Sequence, residues 1–244
     1  MKAYSGLASI YDDLMLEDVD YNQWVDFIEN HLNKKKAHIL ELACGTGNIT
    51  VELAKRGHKM TGVDISEEML TVASQKTTQY NIKWINQDIR CLQLKGKFDC
   101  VICPCDGFNY ITEIDELKTV LGKIINLLND EGLLIFDISS KYKLSNILGN
   151  NTFAESFEDN AYIWENFYDD TDQICEFEVT TFERDGLGFR RYIEYHRQKA
   201  YDASSIEKVL EEIGFEKINI TSDYTQDSQM QNNSERLVFT CFKG

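Results

Sequence analysis

Hydrophobic positions fall into two regimes along the chain. From Ile39 to Ile138, apolar runs of strand length alternate with segments whose apolar residues recur every three or four positions. Ile39–Leu42, Lys59–Ile65, Ile82–Asn86, Phe98–Cys103 and Leu133–Ile138 predict five strands. One predicted helix turns Ile49, Leu53 and Ala54 inward and stops at Gly57. The next is capped by Ser66, with Met69, Leu70 and Ala73 inside and Glu67 and Glu68 at the positive end of the dipole. A third carries Ile114, Leu117, Val120, Leu121, Ile124, Ile125 and Leu128 on one side. Such alternation predicts an α/β fold, a parallel sheet covered by helices on both faces.

After about Lys143 the period changes to two. Tyr162–Tyr168, Ile174–Phe182 and Phe189–Arg197 predict three strands with no helix between them, turning at Asp169–Asp172 and Asp185-Gly186. Residues 144–200 therefore read as an antiparallel β insertion, with 1–143 and 201–244 forming the main domain. A helix with a Ser204/Glu207 capping box and Val209, Leu210 and Ile213 inward ends at Gly214. Lys217–Thr221 and Arg236–Phe242 then predict a terminal hairpin joined by a polar, mobile loop, 222–234. Before all of this, residues 1 to about 36 read as a helical cover, with Trp24, Phe27, Ile28 and Leu32 as its core stripe.

Composition narrows the function. The 244 residues are 43% hydrophobic, enough for a large core. A formal charge of −16, with Lys34-Lys35-Lys36 as the only basic run, opposes a nucleic-acid partner. No stretch reaches the roughly 20 apolar residues of a membrane span, and no signal peptide is evident, so a cytoplasmic protein without a membrane partner is expected. Seven cysteines, mostly inside apolar runs, read as reduced thiols.

The chemistry concentrates at Glu41-Leu42-Ala43-Cys44-Gly45-Thr46-Gly47-Asn48, where a buried strand turns through two glycines into a helix. Glycines there admit positive φ and let backbone N–H donors approach a ligand. Carboxylates recur at the carboxyl ends of the predicted strands: Glu41, Asp64, Asp88 and, slightly beyond, Asp106. In an open parallel sheet that end is where ligands bind. Asp64 is placed to accept hydrogen bonds from ribose hydroxyls and Asp88 from an adenine amine, with Ile65, Met69 and Ile89 against the purine. NAD fits poorly, because Thr50 stands where the third glycine of the pyrophosphate fingerprint belongs and Glu41 would repel a pyrophosphate. An acid beside the loop suits a cation instead.

These residues resemble the class I S-adenosylmethionine-dependent methyltransferases. Glu41-x-Ala43-x-Gly45-x-Gly47 is similar to that family's first motif, Val63-Asp64-Ile65-Ser66 with Met69 to its ribose motif, and Gln87-Asp88-Ile89 to its adenine motif. Phe98-Asp99-x-Val101 and Leu127–Leu134 are similar to its later strand motifs. The resemblance implies a Rossmann-like, seven-stranded mixed sheet with a C-terminal antiparallel hairpin. It also implies S-adenosylmethionine as cofactor, held by the backbone of Ala43, Cys44, Gly45 and Gly47, with Asp64 on the ribose, Asp88 on the adenine and Glu41 near the methionine end. The N-terminal aromatics, with Tyr11 expected against the cofactor, and the insertion then resemble the lid of small-molecule methyltransferases.

A small-molecule acceptor with a nitrogen or oxygen nucleophile is expected. Its side of the site draws candidates from Asp106, Asn109, Tyr110, Tyr4, Tyr11, Tyr195 and His196, with His196 the most base-like. Cys103-Pro104-Cys105 resembles the cysteine nucleophile motif of cytosine-C5 methyltransferases, but the acidic charge and missing target-recognition domain speak against it. A zinc site lacks a second ligand pair, so no metal is expected. A non-catalytic S-adenosylmethionine sensor is the alternative; formation of adenosyl-homocysteine separates the two.

Overall fold

A computed structural model of the chain describes Ala8, Tyr11, Asp12 and residues 19–77, 79–225 and 230–244. Tyr4 lies outside the described residues. Of the expected N-terminal helical cover, α1 (Tyr21–His31) is described, together with a helical Tyr11-Asp12. Asp20 caps α1 by accepting from the Gln23 N–H, and Trp24, Val25, Phe27 and Ile28 form its buried stripe.

The elements that follow are β1 (His38–Leu42), α2 (Asn48–Lys55), β2 (Lys59–Asp64), α3 (Glu67–Gln75), β3 (Lys83–Asn86), β4 (Phe98–Cys103), α4 (Ile114–Leu127) and β5 (Leu128–Ser139). After the second sheet come α5 (Ala203–Ile213), β10 (Phe215–Ser222) and β11 (Arg236–Lys243). Seven strands make one sheet in the order β10-β11-β5-β4-β1-β2-β3. The four central pairings from β3 to β5 are parallel, and β11 runs antiparallel to both β5 and β10.

Alternation along the strands divides the core between two faces. Leu40, Leu42, Val101, Leu134, Phe136 and Phe239 meet α4 and α5 on one side. Ile39, Cys100, Ile102, Ile135 and Val238 meet α1 and α2 on the other. Gly214 ends α5 in the left-handed conformation expected of it, φ 102°. The cap at the other end is Asp202, so Ser204 lies inside the helix instead of capping it.

Strand β5 starts at Leu128, five residues earlier than its apolar run, through an irregular register against β4. The second sheet holds four antiparallel strands where the pattern predicts three: β6 (Thr152–Ser156), β7 (Asn160–Asp169), β8 (Ile174–Asp185) and β9 (Gly188–Lys199). Strand β6 is an exposed edge, Thr-Phe-Ala-Glu-Ser, with no apolar period to announce it. Among the described residues, no helix is long and apolar enough to cross a membrane.

Candidate active site

Strand order reverses between β2, β1 and β4, which places the loops after β1 and β4 side by side at the carboxyl edge of the sheet. The first loop runs through Ala43, Gly45 and Gly47 at φ 52°, 54° and 79°. Glycine is needed at 47 for two reasons: its φ, and a Trp84 ring only 2.5 Å from where a Cβ would stand. At Gly45, by contrast, no atom lies within 4 Å of that position.

Asp64 ties this loop to the next. Its Oδ2 accepts from the Gly45 N–H at 2.8 Å and its Oδ1 from the Ser66 N–H at 2.8 Å, while the Ser66 hydroxyl caps α3 by accepting from the Met69 N–H. Burial pushes the Asp64 carboxyl up, and these backbone donors pull the other way. Asp64, Ala43, Gly45, Ile65, Met69 and Ile89 line one cavity of about 240 Å³, joined by Tyr11 and Asp88. Both Asp88 oxygens are engaged by the Arg90 side chain, which holds that carboxyl below its usual range.

Three of the residues expected around the cofactor stand behind that wall. Cys44 is buried, Gly47 sits under Trp84, and Glu41 points beneath the loop, where its Oε2 accepts from the Thr50 hydroxyl. Burial, with the Asp64 charge adding to it, pushes the Glu41 carboxyl from 4.5 up to about 8. The folded chain therefore keeps a proton on Glu41 that the unfolded chain releases near 4.5. This contribution to stability is present below that value and is lost as the pH rises toward about 8. Glu41→Gln, which stays neutral, is expected to flatten that decline: the melting temperature of the variant relative to the parent should climb between about pH 5 and pH 9. Parallel curves would mean that Glu41 is ionised in the native state.

A second cavity of about 910 Å³ lies between the main sheet and the four-stranded one. Tyr11, Cys105 and Tyr110 belong to the walls of both cavities and form the seam between them. Asp106 and His196 line the larger one. His196 is buried, with its Nε2 at 3.4 Å from Glu194 Oε2 and its ring edge-on to Tyr110 at 5.9 Å. Tyr195, one residue away, is 66% exposed, because adjacent strand residues face opposite sides. Asn109 is structural: its amide donates to the carbonyls of Ser139 and Lys199 and accepts from the Ser139 N–H. Burial pushes the Tyr11 hydroxyl well above its ordinary value, which keeps it a donor at neutral pH.

The loop after β4 is held by a residue the sequence reading passed over. Asp137, fully buried on β5, accepts from the N–H groups of Cys105 (2.9 Å) and Asp106 (2.7 Å), from the Tyr224 hydroxyl (2.6 Å) and from Arg236 (2.5 Å). These bonds fix Cys105 and Asp106 at φ 58° and 49°. An acid inside the apolar run Leu133–Ile138 was the available signal, since an unpaired carboxylate does not stay buried. Arg236 also lies 4.8 Å from the Trp24 ring, on which Tyr224 stacks at 4.4 Å. Tyr224 thus anchors the start of the loop expected to be mobile. Cys105 is no nucleophile: burial, then the Asp137 charge, push its thiol far above its ordinary value, so it stays a thiol.

Residues 39–132 match a family model described as a methyltransferase domain. A putative methyltransferase of Bacillus subtilis, YqeM, is 36% identical over 242 residues, which cover 98% of this chain and 97% of the relative. The chain belongs to the S-adenosylmethionine-dependent methyltransferases. The crystal structure of such an enzyme from Clostridium acetobutylicum superposes with a TM-score of 0.87 at 36% identity, covering 99% of both chains. CalS10 of Micromonospora echinaspora, an amino pentose methyltransferase solved with its cofactor bound, shares the fold at a TM-score of 0.74 and 14% identity, over 96% of this chain and 97% of its own. As a family member the protein is an enzyme with S-adenosylmethionine as cofactor.

Proposed function

We propose that this methyltransferase acts on a small-molecule acceptor, through a nitrogen or oxygen nucleophile, held in the larger cavity under the inserted β-sheet. The observation that carries the reading is the seam of Tyr11, Cys105 and Tyr110, where a nucleoside-sized cavity opens beside a roomier one. That CalS10 acts on an amino pentose with the same fold is consistent with an acceptor of this size.

The smaller cavity fits the cofactor. Apolar Ile65, Met69 and Ile89 suit the faces of a purine, Asp64 retains lone pairs for ribose hydroxyls, and the open space at Gly45 admits the amino-acid tail beside the loop. Asp88 would take the adenine amine by sharing oxygens now held by Arg90. Glu41 acts from behind the loop, through Thr50 and the backbone. When bound, S-adenosylmethionine supplies an electrophilic methyl group whose sulfur leaves neutral, so no acid is required of the protein.

What remains for the chain is alignment and exclusion of water, worth up to roughly 7–11 kcal/mol when the reacting atoms are well oriented. Residues 144–200 supply the cover, with Tyr162, Trp164, Phe177 and Val179 facing the cavity. The Trp164 indole N–H has no hydrogen-bond partner among the described residues and can donate to a polar acceptor. His196 is the proton acceptor in reach. Calorimetry with S-adenosylmethionine and with NAD, followed by assay of adenosyl-homocysteine against a metabolite library, tests the reading. Binding of the first ligand alone and turnover with small metabolites are expected. Turnover confined to a macromolecular acceptor would overturn it.

A further inference from the structure

We infer that the acceptor is an amine that enters as an ammonium ion, and that Asp106 is the residue that selects it. The inference rests on the methyl-transfer reading above and narrows it to nitrogen.

Charge on the wall of the larger cavity is one-sided. Among the described residues, Asp20, Asp106, Asp223 and Glu235 face two cations, Lys143 and Arg236. Arg236 is already engaged by a carboxylate behind the wall, Asp137 at 2.5 Å, and by Asp106 at 3.3 Å. A carboxylate or phosphate acceptor would enter against net negative charge, whereas Asp20, Asp223 and Glu235, all exposed, draw a cation inward.

Asp106 stands deeper, beside Cys105 on the seam where the methyl donor and the acceptor meet. Its position is set before any ligand arrives. Its backbone N–H donates to Asp137, and the Gln198 side chain donates to its Oδ2 at 2.6 Å. Arg236 and Gln198 use two of the roughly four lone-pair sites of a carboxylate, which leaves capacity for an ammonium. The surroundings suit the same ion: Tyr162, Trp164 and Phe177 line this wall, and aromatic rings attract cations.

An ammonium has no lone pair for attack and must lose a proton first. His196, in the same wall, accepts that proton, and Glu194 at 3.4 Å stabilises the imidazolium formed. The freed nitrogen lone pair then makes the N–C bond as the C–S bond breaks, with that electron pair passing to sulfur. The product is a methylammonium that still carries charge for Asp106 to hold.

The test uses the full-length protein saturated with adenosyl-homocysteine and three matched pairs: phenethylamine and phenethyl alcohol, cyclohexylamine and cyclohexanol, glucosamine and glucose. Calorimetry at neutral pH should show at least one amine binding about 10-fold or more tighter than its alcohol, the scale of a hydrogen bond to a charged group. Asp106→Asn should erase that preference while leaving the affinity for S-adenosylmethionine unchanged. Equal or tighter binding of the alcohols, no amine preference in any pair, or a preference that survives Asp106→Asn would each overturn the inference. Because the parent comparison needs no variant, a poorly folding Asp106→Asn leaves it decisive. Absence of an amine preference in the parent, with S-adenosylmethionine bound normally, defeats this inference alone; failure to bind S-adenosylmethionine would defeat the methyl-transfer reading beneath it.

Discussion

Asp64→Ala is expected to weaken S-adenosylmethionine binding about 10- to 100-fold, the loss of roughly 1.5–3 kcal/mol for hydrogen bonds to a charged acceptor. The effect has two sources. The carboxylate would no longer meet the ribose hydroxyls, and the N–H groups of Gly45 and Ser66 would lose the oxygens that set the loop's shape. Calorimetry measures the first, and the thermal midpoint of the unliganded variant shows how far the second disturbs the fold. Unchanged affinity in a variant that melts like the parent would place the ribose elsewhere.

The largest effect on stability is expected from Asp137→Ala. Arg236 would be left buried without its nearest carboxylate, and the N–H groups of Cys105 and Asp106 would lose their acceptor. Removing one partner of a buried pair costs about 3–5 kcal/mol, which for a chain of this size lowers the melting temperature by about 6–20 °C. Replacing both partners tests the cause. Asp137→Leu with Arg236→Met takes out both charges and should melt above Asp137→Ala, because the carboxylate that also loses Arg236, Asp106, is partly exposed and keeps its bond from Gln198. A double variant less stable than the single one would show that Arg236 stabilises the fold chiefly through its other contacts, Asp106 and the Trp24 ring.

The contrast between these two aspartates shows which parts of the site were legible in the sequence. Asp64 closes an apolar strand just before a capped helix, so its location at the ligand-binding edge follows from local pattern and the geometry of parallel sheets. Asp137 gains its meaning from Tyr224 and Arg236, 87 and 99 positions away, and no local period announces such partners. The two neighbours on β9 illustrate an intermediate case. Alternation says that His196 and Tyr195 face opposite ways, but not which one faces in. Register decides: His196 pairs with Phe177 and Gln198 with Cys175, both buried on β8. Strand β6 was invisible because an exposed edge strand needs no apolar residues.

Asn109 has a consequence for how this enzyme can change. One side-chain amide grips the carbonyls of Ser139 and Lys199, so the chain leaves the main sheet and returns to it at nearly the same point. About sixty residues are thereby spliced in at the entropic cost of a closed loop, a cost that grows only slowly with loop length. Among the described residues the four-stranded unit shares no strand pairing with the main sheet, so none of the rungs beside Asp64 and the glycine turn depends on it. What covers the larger cavity can thus vary while Asp106, held from the main sheet by Asp137, keeps its place, with one asparagine as the hinge pin between them.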